Sequence, residues 1–312
     1  MRTRLAAVGR RSALAAKRAS DAVAGAGAVG LLRLVRRLDP ERAGELAARL
    51  MRQIGPWLPE HRTGRANLAA AFPEKSPAEI ERILSDVWSN LGWTTAEYAH
   101  LDRLWDYQLG SPVPGRIEAA PETVERALKL ANDGKPALLF AAHLANWELP
   151  AVAAAAHGLE SAVLYRAPSV GDVAQAVNAI RSINMGKLVP SSPAAVFVLM
   201  RALQQGAHVG MLVDQHFTRG VHVTFFGRRC KANPTLARLA RHIDCPIHGI
   251  RTIRLPNHRF RIEVTPEIVP ARRADGTLDV AGTMQIITGV VEGWVREHPE
   301  QWLWLHRRWR DY

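Results

Sequence analysis

Between residues 39 and 120, apolar positions recur at intervals of three and four, the period of helices with one buried face. In "DPERAGELAARLMRQIGP" the face is Ala43, Leu46, Ala47, Leu50, Met51 and Ile54. Asp39 and Pro40 suit an N-cap and first turn, and Gly55-Pro56 stops the helix. In "SPAEIERILSDVWSNLG" Ser76 and Glu79 spell a capping box and Pro77 takes the first helical position. Ile80, Ile83, Leu84, Val87, Trp88 and Leu91 line one side. Near Pro121 the pattern changes. A helix (Val124, Ala127, Leu128, Ala131) ends at Gly134, and "PALLFAA" then reads as a buried strand. A helix near 147–157, the strand "SAVLYR", a helix near 172–183, the strand "KLVP", a helix near 193–205 and the strand "HVGMLVD" follow. A helix starting near Asn233-Pro234, the strands "PIHGIRTI" and "RFRIEVT", and a helix near 279–297 complete the chain.

Strands alternating with helices predict an α/β fold, a mostly parallel sheet covered by helices on both faces. The expected division is a basic N-terminal segment 1–38, a helical region 39–120 and an α/β core 121–312. Hydrophobic residues make up 47% of the 312, enough for a sizeable core.

Charge changes the picture at the N-terminus. Arg2, Arg4, Arg10, Arg11, Lys17 and Arg18 precede the first acid, Asp21. The small and apolar run from Ala22 to Leu32, followed by Arg33, Arg36 and Arg37, is shorter than the roughly 20 residues that cross a bilayer. Two readings stand: a membrane-associated segment facing anionic lipid, and a solvated basic tail. Over the whole chain 41 Lys and Arg against 29 Asp and Glu give a net charge of +12, which favours anionic partners. The basic residues are dispersed and no nucleic-acid-binding motif is present, so nucleic acid is not the expected partner. Two cysteines, Cys230 and Cys245, make neither a disulfide framework nor a metal-ligand pattern.

The candidate chemistry sits at strand ends, where open α/β sheets bind ligands. His143 follows "PALLFAA", and Glu148 lies five residues on. On one continuous helix these would diverge by about 140°, but across a strand-to-helix turn they can converge. A His held by a carboxylate is a general base for a hydroxyl. The alternative is a polar pair that caps the turn. The same H-x4-acid spacing recurs at His258/Glu263 and His306/Asp311, without that placement. Asp214 and Gln215 end a second strand and Arg166 a third, suggesting one shared site in which Arg166 holds a phosphate or an oxyanion. In "FFGRRCKANP", Arg228, Arg229 and Lys231 precede a helix start, which reads as an anion site or as an exposed loop. "VTFF" reads as pocket lining or core. The terminal "QWLWLHRRWR" reads as a membrane or nucleic-acid interface, or as a segment buried on one face.

As a set, "AHLANWE", "LYRAP", "DQHF", "FFGRRCKANP" and "PEQWLWLHRRW", with "RANLAAAFPEKSPAEIERIL" upstream, resemble the LpxL/HtrB-type lysophospholipid acyltransferases, the late acyltransferases of lipid A biosynthesis. The resemblance runs from about residue 30 to the end. It implies transfer of a fatty acyl chain from acyl carrier protein to a hydroxyl of an acylated, phosphorylated glucosamine disaccharide lipid. The place would be the cytoplasmic face of the bacterial inner membrane, and no cofactor or metal is implied. Carried over, His143 is the general base and Glu148 its partner, with Arg166, Asp214, Gln215, Asn146 and Lys231 binding substrate. Another glycolipid acceptor, such as a phosphatidylinositol mannoside, is the alternative. The chain departs from the pattern at His216, where many members carry an acid, and in its short, Arg-interrupted apolar N-terminal run.

Overall fold

The computed structural model describes residues 26–27, 29–111, 115–166 and 171–310. The expected basic stretch is thus seen only from its end, and residues 1–25 lie outside the described residues. Residues 29–35 are helical, and Arg36 fastens this piece to the body through the Asp102 carboxylate (2.8 Å) and the Ala99 carbonyl (2.8 Å). Among the described residues no helix is long and apolar enough to cross a membrane.

Helices α1 (Pro40–Ile54), α2 (Pro59–Ala71) and α3 (Pro77–Glu97) form the helical layer. Asp39 caps α1 by accepting from the Arg42 N–H, and the capping box at Ser76 and Glu79 opens α3. Ile80, Leu84, Val87 and Trp88 of α3 are buried as the period predicts. The apolar face expected for α1 is corrected by the packing. Its buried side is Ala43, Gly44 and Ala48, while Leu46 is 62% exposed and Leu50 and Ile54 also face outward. Small residues win the interface because α1 and α3 run so close together. A Cβ placed on Gly92 of α3 would lie 2.6 Å from the Ala47 carbonyl oxygen. The outward apolar stripe continues past the helix to Trp57, 89% exposed, and Leu58.

After the one-turn α4 (Leu101–Leu104), the chain builds a seven-stranded sheet in the order β1-β9-β8-β2-β5-β3-β4. Its strands are β1 (Ile117–Ala119), β2 (Leu138–Ala141), β3 (Ser161–Tyr165), β4 (Lys187–Pro190), β5 (His208–Leu212), β8 (Ile247–Leu255) and β9 (Arg259–Val264). The β8, β2, β5, β3 and β4 strands run parallel, whereas β9 is antiparallel to β8 and β1 follows β9. The fold is α/β with a mostly parallel sheet, as expected. Alternate residues of β2 enter different cores, Leu138 and Phe140 one and Leu139 the other. The first core packs under α8 (Ala195–Gln204), α9 (Thr235–His242) and α10 (Val280–Glu297). The opposite face is covered by α5 (Pro121–Asn132), which contributes Leu130, and α6 (Leu149–Ala156), which contributes Leu149 and Val152. α7 (Gly171–Asn184) joins β3 to β4.

A separate hairpin, β6 (Val221–Phe225) and β7 (Arg228–Ala232), turns through Phe226 and Gly227. Both turn residues have positive φ, 52° and 68°, the twist that two-residue hairpin loops require. "VTFF" therefore supplies core: Val223, Phe225 and Phe226 are buried. Arg228, Arg229 and Lys231 occupy strand positions rather than a loop. The start of α9 is served locally, with Asn233 Oδ1 accepting from the Thr235 N–H. The tryptophans of the terminal segment are core as well. Trp302 and Trp304 are fully buried against Phe225, Phe226 and Phe72, and Trp309 stacks on Phe225. Of the readings open for that segment, burial is the one the structure adopts.

Candidate active site

Register sets the site. Ala141 of β2 pairs with Leu212 of β5, and the ladder continues with the Val213 N–H on the Ala141 carbonyl. Two residues further along each strand, at the carboxyl edge of the sheet, His143 and Asp214 face one another. Asp214 Oδ1 lies 2.8 Å from His143 Nδ1, and Oδ2 accepts from the His143 backbone N–H at 2.8 Å and from Trp302 Nε1 at 2.7 Å. The Asp214 side chain is fully enclosed, whereas that of His143 keeps 14% exposure. Burial alone would raise the Asp214 pKa. The charge and hydrogen bonds of His143 outweigh it and hold the carboxyl well below the usual range. An ionised acceptor on Nδ1 fixes the proton there and leaves the Nε2 lone pair facing outward. The Gln215 side-chain amide sits 3.2 Å from Nε2 and donates to it in that tautomer, and the Trp147 ring lies 5.2 Å away.

The carboxylate that orients His143 is therefore Asp214 and not Glu148, as the spacing suggested. Glu148 is engaged elsewhere. Its Oε1 accepts from Arg181 Nη2 at 2.5 Å and from Trp147 Nε1 at 3.1 Å, and its Oε2 accepts from Arg181 Nε at 3.1 Å. Glu148 is buried and Arg181 is half-buried, and the rings of Tyr98 and Tyr165 flank the guanidinium at 5.5 Å each. Burial and the neighbouring Glu148 charge push the Tyr98 phenol well above its ordinary pKa. This assembly ties the start of α6 to the last turn of α7.

The turn between His143 and Glu148 is held from three sides. Ala145 adopts φ 48°, a left-handed conformation that costs a residue with a Cβ about 1 kcal/mol. Its N–H donates to the Gln301 carbonyl and its carbonyl accepts from Thr94 Oγ1. The Leu303 N–H donates to the His143 carbonyl. Asn146 is buried, with Nδ2 on Glu97 Oε2 (2.9 Å) and Oδ1 accepting from the Glu148 N–H (3.1 Å). Arg254 grips Glu97 with two nitrogens and reaches Asn90 Oδ1 with Nε.

Of the residues the sequence singled out, His143, Asp214 and Gln215 come together. Asp214 is enclosed behind His143, and the amide of Asn146 is engaged within the scaffold. Arg166 ends β3, next to β5, and is exposed at the same edge of the sheet. Lys231 lies on β7, where its carbonyl accepts from the buried Arg308. Among the described residues no three His, Cys, Asp or Glu side chains form a metal-ligating group. Arg181, Trp302, Glu97 and Arg254 were not foreseen. Arg181 carries no pattern of its own, and Trp302 looked like one of several aromatic residues in a basic run.

A base with an exposed Nε2 and an enclosed carboxylate behind it, at the carboxyl edge of a parallel sheet, can take a proton from a bound hydroxyl. No curated protein matches the chain. The family model described as bacterial lipid A biosynthesis acyltransferase matches residues 19–311, and the chain belongs to that family.

Proposed function

We propose that this acyltransferase moves a fatty acyl group from acyl carrier protein to a hydroxyl of an acylated, phosphorylated glucosamine disaccharide lipid, at the cytoplasmic face of the bacterial inner membrane. The observation that carries the reading is the His143–Asp214 pair, with Nε2 presented at the sheet edge. The acceptor hydroxyl displaces the Gln215 amide from Nε2. As its oxygen attacks the thioester carbonyl, Nε2 takes the proton, and the buried Asp214 charge balances the imidazolium. The tetrahedral intermediate collapses with loss of thiolate, which recovers the proton from Nε2 as thiol. The thioester is already activated, so the step calls on no metal or cofactor. Arg166, exposed at the neighbouring strand end, is a fitting cation for the oxyanion or for a substrate phosphate. Glu148 and Asn146 position the turn that carries the base.

Acidic carrier protein and phosphorylated lipid both complement the +12 chain. The membrane location is supported by the outward stripe of Leu46, Leu50, Ile54, Trp57 and Leu58, an apolar face on a helix that also carries Arg42, Arg49 and Arg52. The test is mass spectrometry of lipid A from a bacterium lacking its own late acyltransferases, with and without this gene. One added acyl chain, lost with His143→Ala, is the expected result. No added mass from an expressed, membrane-bound protein would overturn this acceptor and direct the assay to other glycolipids.

A further inference from the structure

A groove of about 830 Å³ opens between α2 and the C-terminal segment 302–310, lined by Arg62, Thr63, Asn67, Arg307, Trp309 and Arg310. Three guanidinium groups share it. Some surface arginines elsewhere are matched with acids, as Arg36 is with Asp102, Arg52 with Asp86, Arg65 with Glu81 and Arg296 with Glu292. Arg62, Arg307 and Arg310 have no acidic partner among the described residues. Like charges gathered without a counter-charge are unfavourable, and planar guanidinium forks are the best protein match for a phosphate.

The position of the groove says which phosphate. Its helical wall, α2, begins just after Trp57 and Leu58, where the exposed apolar stripe ends. Cations at the margin of an apolar docking face lie at headgroup depth. Its other wall leads to the base. Leu303 bonds the His143 carbonyl, and Arg307 is four residues on, so their Cα atoms are at most about 14 Å apart. Asn67, on the groove floor, pins the intervening chain through the Trp304 and His306 carbonyls at 2.8 Å each.

We propose that this groove is a phosphate site for a lipid headgroup. It would seat a phosphoryl group of a lipid whose chains stay in the bilayer while its hydroxyl reaches His143. The assignment of the acceptor's own phosphate rests on the function proposed above; the affinity for a phosphorylated headgroup does not.

The full chain and its Arg62→Ala/Arg307→Ala/Arg310→Ala variant are compared, with Arg307→Glu alone as a second variant and Arg273→Ala as an exposed control outside the groove. Co-sedimentation with phosphatidylcholine vesicles, with and without phosphatidate, reads the site without any need for turnover. The extra affinity conferred by phosphatidate should fall at least about tenfold in both groove variants, at unchanged thermal stability. Equal affinity in wild type and variants, or an equal loss on both kinds of vesicle, would overturn the proposal. Transfer to the phosphorylated disaccharide lipid and to its phosphatase-treated form then separates the sources. A KM preference for the phosphorylated form that vanishes in the variants places the acceptor's phosphate in the groove. A preference that survives, with phosphatidate binding lost, assigns the groove to bilayer phospholipid. Absence of transfer to either lipid would count against the acceptor and leave the vesicle result to decide the groove.

Discussion

At the scale of single residues, Asp214 and Glu148 divide their work. Asp214 takes three N–H donors on its two oxygens, and the charge and hydrogen bonds of His143 hold its carboxyl well below the usual range. Asp214→Asn keeps the shape but no longer fixes the proton on Nδ1. We expect kcat to fall by about 10³- to 10⁴-fold with little change in fold, read by thiol release from the acyl donor. Glu148→Gln should behave differently. It leaves the half-buried Arg181 guanidinium without its carboxylate, which costs about 2–4 kcal/mol, measured as the denaturant midpoint. A rate loss without that destabilisation would mean that Glu148 acts on the reactants. His306 adds a pH dependence. Burial, with Nε2 shielded and unpartnered, lowers its pKa to about 4 from 6.5, so it is neutral in the folded state while the unfolded chain takes up a proton. The unfolded state binds more protons between these values, so stability falls as pH drops from about 6.5 to about 4. Asp214, depressed further, adds its loss at lower pH. Melting temperatures across that range check the sign.

Elements explain what was legible in the sequence and what was not. The apolar runs that stop at His143, Arg166 and Asp214 mark three strand ends, and the sheet does bring β2, β5 and β3 side by side. Which polar group meets which depends on register between strands distant in sequence, and no local pattern encodes it. His143 was therefore matched with the acid closest in the chain rather than the one two residues past the paired strand. Periodicity likewise shows that α1 has an apolar side, but not what covers it. Gly44 and Gly92, unremarkable in the sequence, decide that the small side faces α3. Gly92→Ala should lift α1 from α3, because the new methyl meets backbone rather than a side chain that can turn away. The expected cost is about 1–3 kcal/mol, with faster proteolysis in the α1–α2 connection as the readout.

For the molecule as a whole, the exposed apolar stripe of α1 and the connection after it is the proposed bilayer-docking face, with no spanning helix among the described residues. Leu46→Ser/Leu50→Ser/Trp57→Ser removes exposed apolar surface only. It should weaken binding to anionic vesicles by at least about tenfold while leaving thermal stability intact, and unchanged vesicle binding would rule the stripe out as the docking face. The β2–β5 register has a consequence of another kind. His143 and Asp214 stand 71 residues apart in the chain and meet only when two central parallel strands have paired. Such pairings close large loops and form late, after locally stabilised helical hairpins. During refolding from denaturant, helical signal should therefore recover ahead of catalysis, and the return of turnover marks the moment at which the sheet is complete.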